Sequence, residues 1–170
     1  MTSTQAGEAG ASLLRAVLMI SSRGELDIYY PVADDDHRDL VVGLRGRPAM
    51  ACVQVKTSYQ RDRRGLVRVK ARLPKADVPD HPSFIYAVLL VGGIAIEVAW
   101  LVPSPEFNRL VYKEPESPRL VDYEFVADPS RRGPFTPYQM DADALGPRLA
   151  AMVGGLRAPA PQLVGRGLSR

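Results

Sequence analysis

Residues 84–102 are almost wholly apolar, over a length that would cross a bilayer as a helix. Two details argue against a span. Gly92-Gly93 falls in the middle of the stretch, and Glu97 sits among the apolar residues. Two β-strands meeting at a Gly-Gly turn explain both. The stretch therefore reads as a long buried hairpin, 84–91 and 94–102, and the rest of the chain must cover it.

The chain has the means to do so. It has 170 residues, 46% hydrophobic and 24% charged, enough for one domain with a real core. Residues 6–22 read as a helix, with Leu13, Val17 and Ile20 at helical spacing, Leu14 and Leu18 beside them, and Arg23-Gly24 as the stop. Leu26, Ile28 and Tyr30 alternate with Glu25, Asp27 and Tyr29 as in a strand, which Pro31 ends. Two strands follow, about 39–44 and 49–56, joined through Arg45-Gly46-Arg47-Pro48, and another spans about 65–73. Pro103-Ser104-Pro105 stops the apolar hairpin. Between 106 and 135, strand-like pieces (Leu110-Val111-Tyr112, Tyr123-Glu124-Phe125-Val126) lie among prolines. Thr136-Pro137-Tyr138-Gln139 has the form of a capping box with proline at the first helical position. Leu145, Leu149, Met152, Val153 and Leu156 give an apolar helical face, which Pro147 is expected to break or restart. The expected organisation is one domain over 1–157 with a core at about 5–107 and an extension at about 108–157. A disordered Ala/Pro/Gly/Arg tail over 158–170 follows. Helix, strands, then helix indicate an α/β or α+β fold around a mixed sheet.

Charge and cysteine content set loose bounds. A net charge of +3 and a pI near 9.2 permit a nucleic-acid partner without requiring one. Cys52 is single, so no internal disulfide forms, and it reads as a small buried hydrophobe in a reducing, cytoplasmic compartment. His37 and His81 stand apart from each other and from Cys52, so no zinc cluster is expected. The N-terminus lacks the basic start of a signal peptide, and Arg15 interrupts its apolar stretch.

One constellation points to chemistry. If Leu44 pairs with Ala49 across the loop 45–48, Asp39 falls opposite Gln54 and shares its face. Lys56, two residues further on, shares that face too, while Val53 and Val55 point the other way. A slip of one residue would undo the grouping. Asp39 can offer an anionic oxygen and Gln54 a neutral one to a hard cation that polarises a phosphate. Lys56 can stabilise developing charge or orient water. The trio suits phosphodiester hydrolysis, and it suits a solvated strand end equally well.

Other groups are weaker. Glu25 and Asp27 share a strand face but read as solvent-facing charges, and Asp34-Asp35-Asp36 and His37 read as a solvated loop. Arg61, Arg63, Arg64, Arg68, Lys70 and Arg72 form the densest basic stretch, with the last three on one strand face. That stretch fits phosphate contacts or a solubilising edge-strand face. Trp100 and the tyrosines form no stacking pattern along the sequence.

Across roughly residues 5–107 the chain resembles the PD-(D/E)XK nuclease superfamily. The resemblance lies in Ala6-Gly7-Glu8-Ala9 opening the first helix, Gly24, a strand ending Tyr30-Pro31, Asp39-Leu40-Val41-Val42, and Val53-Gln54-Val55-Lys56-Thr57-Ser58. The chain is similar to archaeal Holliday junction resolvases. It is closer to small endonuclease-like proteins, including an intron-homing branch, that carry Gln-Val-Lys at this motif. The run 99–107, Ala-Trp-Leu-Val-Pro-Ser-Pro-Glu-Phe, resembles a strand-to-proline segment of those proteins.

The resemblance implies a restriction-endonuclease-like mixed central sheet flanked by helices. It also implies a magnesium- or manganese-dependent endodeoxyribonuclease acting on DNA. Asp39, Gln54 and Glu8 would bind the metal, and these with Lys56 would make the catalytic set. Two departures stand out: Gln54 replaces the usual acid, and His37-Arg38 precedes Asp39 where the family has proline. A non-catalytic nucleic-acid-binding module on the same fold is therefore a competing expectation, and a structural or regulatory domain is a third. A homodimer would suit cleavage of two strands. No membrane association is expected.

Overall fold

The structure, a computed structural model, describes residues 2–31, 38–115 and 119–156. The Asp34–Asp36 loop, His37 and the 158–170 tail lie outside the described residues.

Helix α1 (Ser3–Ser21) begins three residues before its expected start, because Thr2 and Gln5 form a capping box. The Gln5 N–H donates to Thr2 Oγ1 (3.2 Å) and the Thr2 N–H donates to Gln5 Oε1 (3.0 Å). Its buried stripe runs through Ala11, Leu14 and Leu18, while Ile20 stands outward at 78% exposure. The chain then forms β1 (Leu26–Tyr29), β2 (Leu40–Leu44), β3 (Met50–Ser58), β4 (Val67–Pro74), β5 (Phe84–Gly92) and β6 (Ala95–Pro103). Helix α2 (Ser104–Leu110), β7 (Tyr112–Pro115), β8 (Leu120–Ala127), β9 (Gln139–Met140) and helix α3 (Ala142–Gly154) complete it.

The central sheet is mixed, in the order β1-β2-β3-β5-β6-β9. β3 and β5 are parallel and the other neighbours antiparallel. The apolar 84–102 stretch is the hairpin of β5 and β6, which turns at Gly93 with φ +61°. No helix among the described residues is long and apolar enough to cross a membrane.

Both faces of the sheet are covered. On one, Leu40, Val42, Val53, Val55, Ala87, Leu89 and Leu101 pack with Leu14 and Leu18 of α1 and Leu145, Leu149 and Val153 of α3. On the other, Tyr86, Val88, Leu90, Trp100 and Val102 meet Val67, Leu73, Phe107, Tyr123 and Phe125. This second cover is a separate antiparallel sheet, β4-β8-β7, together with α2. The expected mixed sheet with flanking helices is present, and the small sheet and α2 were not foreseen.

Two local expectations are corrected. The Thr136–Gln139 segment does not cap a helix; Thr136–Tyr138 is one 3-10 turn and α3 starts at Ala142. Thr136 Oγ1 instead accepts from the Gly133 N–H (2.8 Å), and Gln139 Nε2 donates to the Pro129 carbonyl (2.9 Å). Both capping side chains thus serve the preceding turn. Pro147 does not break α3, which runs through it. Beside it, the Gly146 N–H donates to Ser21 Oγ of α1 (2.9 Å), so that donor is satisfied from the neighbouring helix. A Cβ at Gly146 would sit 2.2 Å from the Ser22 backbone nitrogen, so α1 and α3 approach this closely only over glycine.

Candidate active site

The expected register of β2 on β3 is the observed one. Leu40 pairs with Val53 and Gly43 with Met50, and the Leu44 N–H reaches the Ala49 carbonyl (3.4 Å). Pairing ends at Leu40, where β2 leaves β3. At that split the Asp39 N–H donates to the Val53 carbonyl (3.0 Å) and its carboxylate Oδ2 accepts the Val55 N–H (2.5 Å). The Asp39 side chain thus occupies the place of a strand partner, in the wedge between β2 and β3.

Gln54 and Lys56 lie on the face of β3 that looks toward the second sheet, aligned with Tyr86 and Val88 of β5. Gln54 is only 3% exposed, and its Oε1 is buried without a hydrogen-bond donor. A buried acceptor left unpaired is costly, and a hard cation would satisfy it. The oxygens of Asp39 and Gln54 are of the type magnesium and manganese take, so these residues fit such an ion. Lys56 is half-buried. Burial lowers its pKa from the ordinary 10.5, and the Asp39 carboxylate opposes that shift. Asp39 and Lys56 therefore feel each other electrostatically.

Glu8 arrives from the other side. α1 packs on the Val53/Val55 face, held close to the end of β3: Gly10 lies against Thr57, and Tyr59 Oη donates to the Ala6 carbonyl (2.9 Å). Glu8 and Asp39 line one cleft of about 180 Å³ with Ala11, Tyr30, Pro31 and Arg38. Neither Gln54 nor Lys56 lines that cleft, so Asp39 is the member common to both halves. Gln54 and Lys56 lie within β3, and Asp39 stands beside them where β2 begins. Among the described residues, no three His, Cys, Asp or Glu side chains gather to hold a metal.

The basic stretch is differently placed. Arg68, Lys70 and Arg72 do share one exposed face of β4, but acids of β8 and of the preceding turn face them. Arg68 binds Asp62 (2.8 Å) and Glu124 (3.2 Å), Arg72 binds Asp122 (2.9 Å), and Arg61 reaches Glu97 (3.4 Å). The Arg68 hydrogen bond, with help from the Leu66 and Arg64 N–H groups, holds the Asp62 carboxyl down at about 2. Arg63 and Arg64 are exposed on the turn. None of the six lines the Glu8–Asp39 cleft.

Sequence reading passed over Tyr30 and Arg38, which the cleft brings beside Asp39. The Tyr30-Pro31 pair and the arginine before Asp39 were visible, but nothing in one sequence joins them.

The fold is that of an endonuclease-like α+β protein. The chain matches no protein-family model and no curated protein. It is similar in structure to a bacterial homing endonuclease, I-Ssp6803I, with a TM-score of 0.54 over 89% of this chain and 97% of that one. Sequence identity is 16%, so the likeness is one of fold.

Proposed function

We propose that this protein is a divalent-metal-dependent DNA endonuclease of the PD-(D/E)XK type, with Asp39, Gln54, Lys56 and Glu8 as its active site. The observation that carries the reading is the wedge at the β2–β3 split. An acid, an unpartnered buried amide oxygen and a half-buried lysine are held there by the fold. The fold shared with a homing endonuclease supports it.

In this reading Asp39 and Gln54 hold the cation, with Glu8 approaching from the helix side. A bound magnesium or manganese ion would supply Lewis-acid polarisation of the phosphodiester and a more acidic water. Asp39 keeps one oxygen on the Val55 N–H, which fixes its carboxylate plane. Lys56 offers its ammonium to a non-bridging phosphate oxygen as charge develops. Burial lowers its pKa while the Asp39 carboxylate opposes the shift, so the ammonium is easier to deprotonate than in water.

Incubation of the protein with plasmid and oligonucleotide DNA in magnesium or manganese tests this. Cleavage is expected in wild type and lost in Asp39→Ala and Lys56→Ala. Cleavage retained in both variants rejects the site. A second reading, binding without cutting, is favoured by Gln54 standing where an acid would add charge. It predicts salt-sensitive DNA binding and no cleavage with either metal, together with gain of cleavage in Gln54→Glu.

A further inference from the structure

We infer that Tyr30 is a stacking platform that selects an unpaired nucleotide beside the scissile phosphate, an inference that rests on the nuclease reading of the Asp39 site. Tyr30 lines the same cleft as Glu8 and Asp39. Its ring is backed by α1: the Arg15 guanidinium carbon lies over it, 4.8 Å from the centroid, and Arg15 Nη1 donates to Tyr30 Oη (3.3 Å). One face of the ring is thus covered by a cation, yet the residue remains 49% exposed, at a cleft mouth.

The backbone helps hold the ring in place. Tyr30 leaves β1 and precedes Pro31, which restricts it to extended conformations. The cleft lining also includes Ala11 of α1, which is small, and leaves room for about six waters. This is space for one flat ring rather than a double helix. Base-on-aromatic stacking is sequence-tolerant and adds substantially to single-strand affinity. A paired base inside a duplex has no free face to offer, so a platform here discriminates by pairing state.

Arg68 and Arg72 already hold Asp62, Glu124 and Asp122, while Arg63, Arg64 and Lys70 stand exposed. Phosphate contacts from such residues act on paired and unpaired DNA alike, so the choice between them falls to the ring.

The test reads binding, without cleavage, in EDTA. Full-length protein is titrated against a fully paired duplex and the same duplex with one unpaired 2-aminopurine. The expected result is tighter binding of the unpaired site by about tenfold, with quenched 2-aminopurine fluorescence. Tyr30→Ala should remove the preference and the quenching, and Tyr30→Phe should keep both. Equal affinity of wild type for the two DNAs, or a preference unchanged in Tyr30→Ala, overturns the proposal. So does an equal loss on both DNAs in Tyr30→Ala. Cleavage by magnesium is scored separately: selective binding without cleavage overturns the nuclease reading and leaves Tyr30 as a recognition residue.

Discussion

Two charged regions of this molecule use the same residue types to opposite ends. On β4 and β8, arginines and acids face one another in solvent, each with a partner. At the β2–β3 split, an acid, an amide and a lysine are drawn into the protein, and the amide oxygen has no partner at all. Exposed, matched pairs contribute little and cost little. A buried acceptor left unmatched, as Gln54 Oε1 is, opposes folding. Charge density singled out the first region in the sequence, whereas burial singles out the second in the structure.

The sharpest way to break this contrast is activity. Asp39→Ala or Lys56→Ala is expected to lower DNA cleavage by about 100-fold or more, the scale seen for removing one charge-stabilising group. Arg68→Ala and Arg72→Ala should change it by only a few fold. Initial rates with supercoiled plasmid in magnesium decide it. If the β4 variants lose as much as the wedge variants, the contrast fails.

The next effect is steric. A Cβ on Gly10 would lie 1.9 Å from Thr57 Oγ1 and 2.9 Å from its Cβ. Gly10→Ala must push α1 off β3, carrying Glu8 away from Asp39. A loss of about 1–3 kcal/mol in urea unfolding is expected, with partial recovery in Gly10→Ala/Thr57→Ala, which removes Oγ1 but leaves the Cβ. Unchanged stability in the single variant would mean α1 sits more loosely than its contacts imply.

These experiments also mark what the sequence could convey. The wedge was legible because the turn at Arg45–Pro48 pins the β2–β3 register, and period-two geometry does the rest. The β5–β6 hairpin was legible because Gly93 and Glu97 are incompatible with a span. Which sheet a strand joins is a different kind of fact. β4 reads as an amphipathic strand in isolation, but its arginines cannot enter a sheet covered on both faces by apolar residues. It pairs instead with β8, where Asp122 and Glu124 fall opposite Arg72 and Lys70. That charge complementarity was present in the sequence and would have pointed to the second sheet. The start of α3 was hidden because Thr136 and Gln139 hydrogen-bond backward, a choice set by the 129–133 turn. The convergence of Glu8, Tyr30 and Asp39 depends on where α1 docks, and no local pattern carries that.

A third effect is thermodynamic, and its sign separates the regions. Lys56 has a folded-state pKa below the usual 10.5. Between that lowered value and 10.5 the unfolded chain binds more protons, so stability rises with pH across this window. At neutral pH the partly desolvated ammonium opposes folding. Lys56→Met should therefore stabilise the protein, on the order of 1 kcal/mol, while cleavage is lost. The gap should narrow by about pH 10, as read by denaturant unfolding at both pH values. A destabilised Lys56→Met would place Lys56 among the structural ion pairs instead.

The smallest effect belongs to the ladder of ion pairs along β4, β8 and the turn before β4, and it runs the other way. Asp62 has a folded-state pKa of about 2, lowered first by its hydrogen bond to Arg68 and then by backbone donors. Its stabilising contribution is present above the ordinary carboxyl value of 3.8 and is lost as pH falls through about 2. Asp62→Ala should lower the melting temperature slightly at neutral pH and converge with wild type at the acid end. Because Asp62 also accepts the Arg64 and Leu66 N–H groups, Asp62→Asn should retain part of the effect. Neither change should alter the salt dependence of DNA binding if Arg68 is committed to the fold. A shallower salt slope in Arg68→Ala, with the melting temperature unmoved, would instead mean that the guanidinium exchanges its carboxylates for phosphate, and that the ladder is held in reserve for DNA.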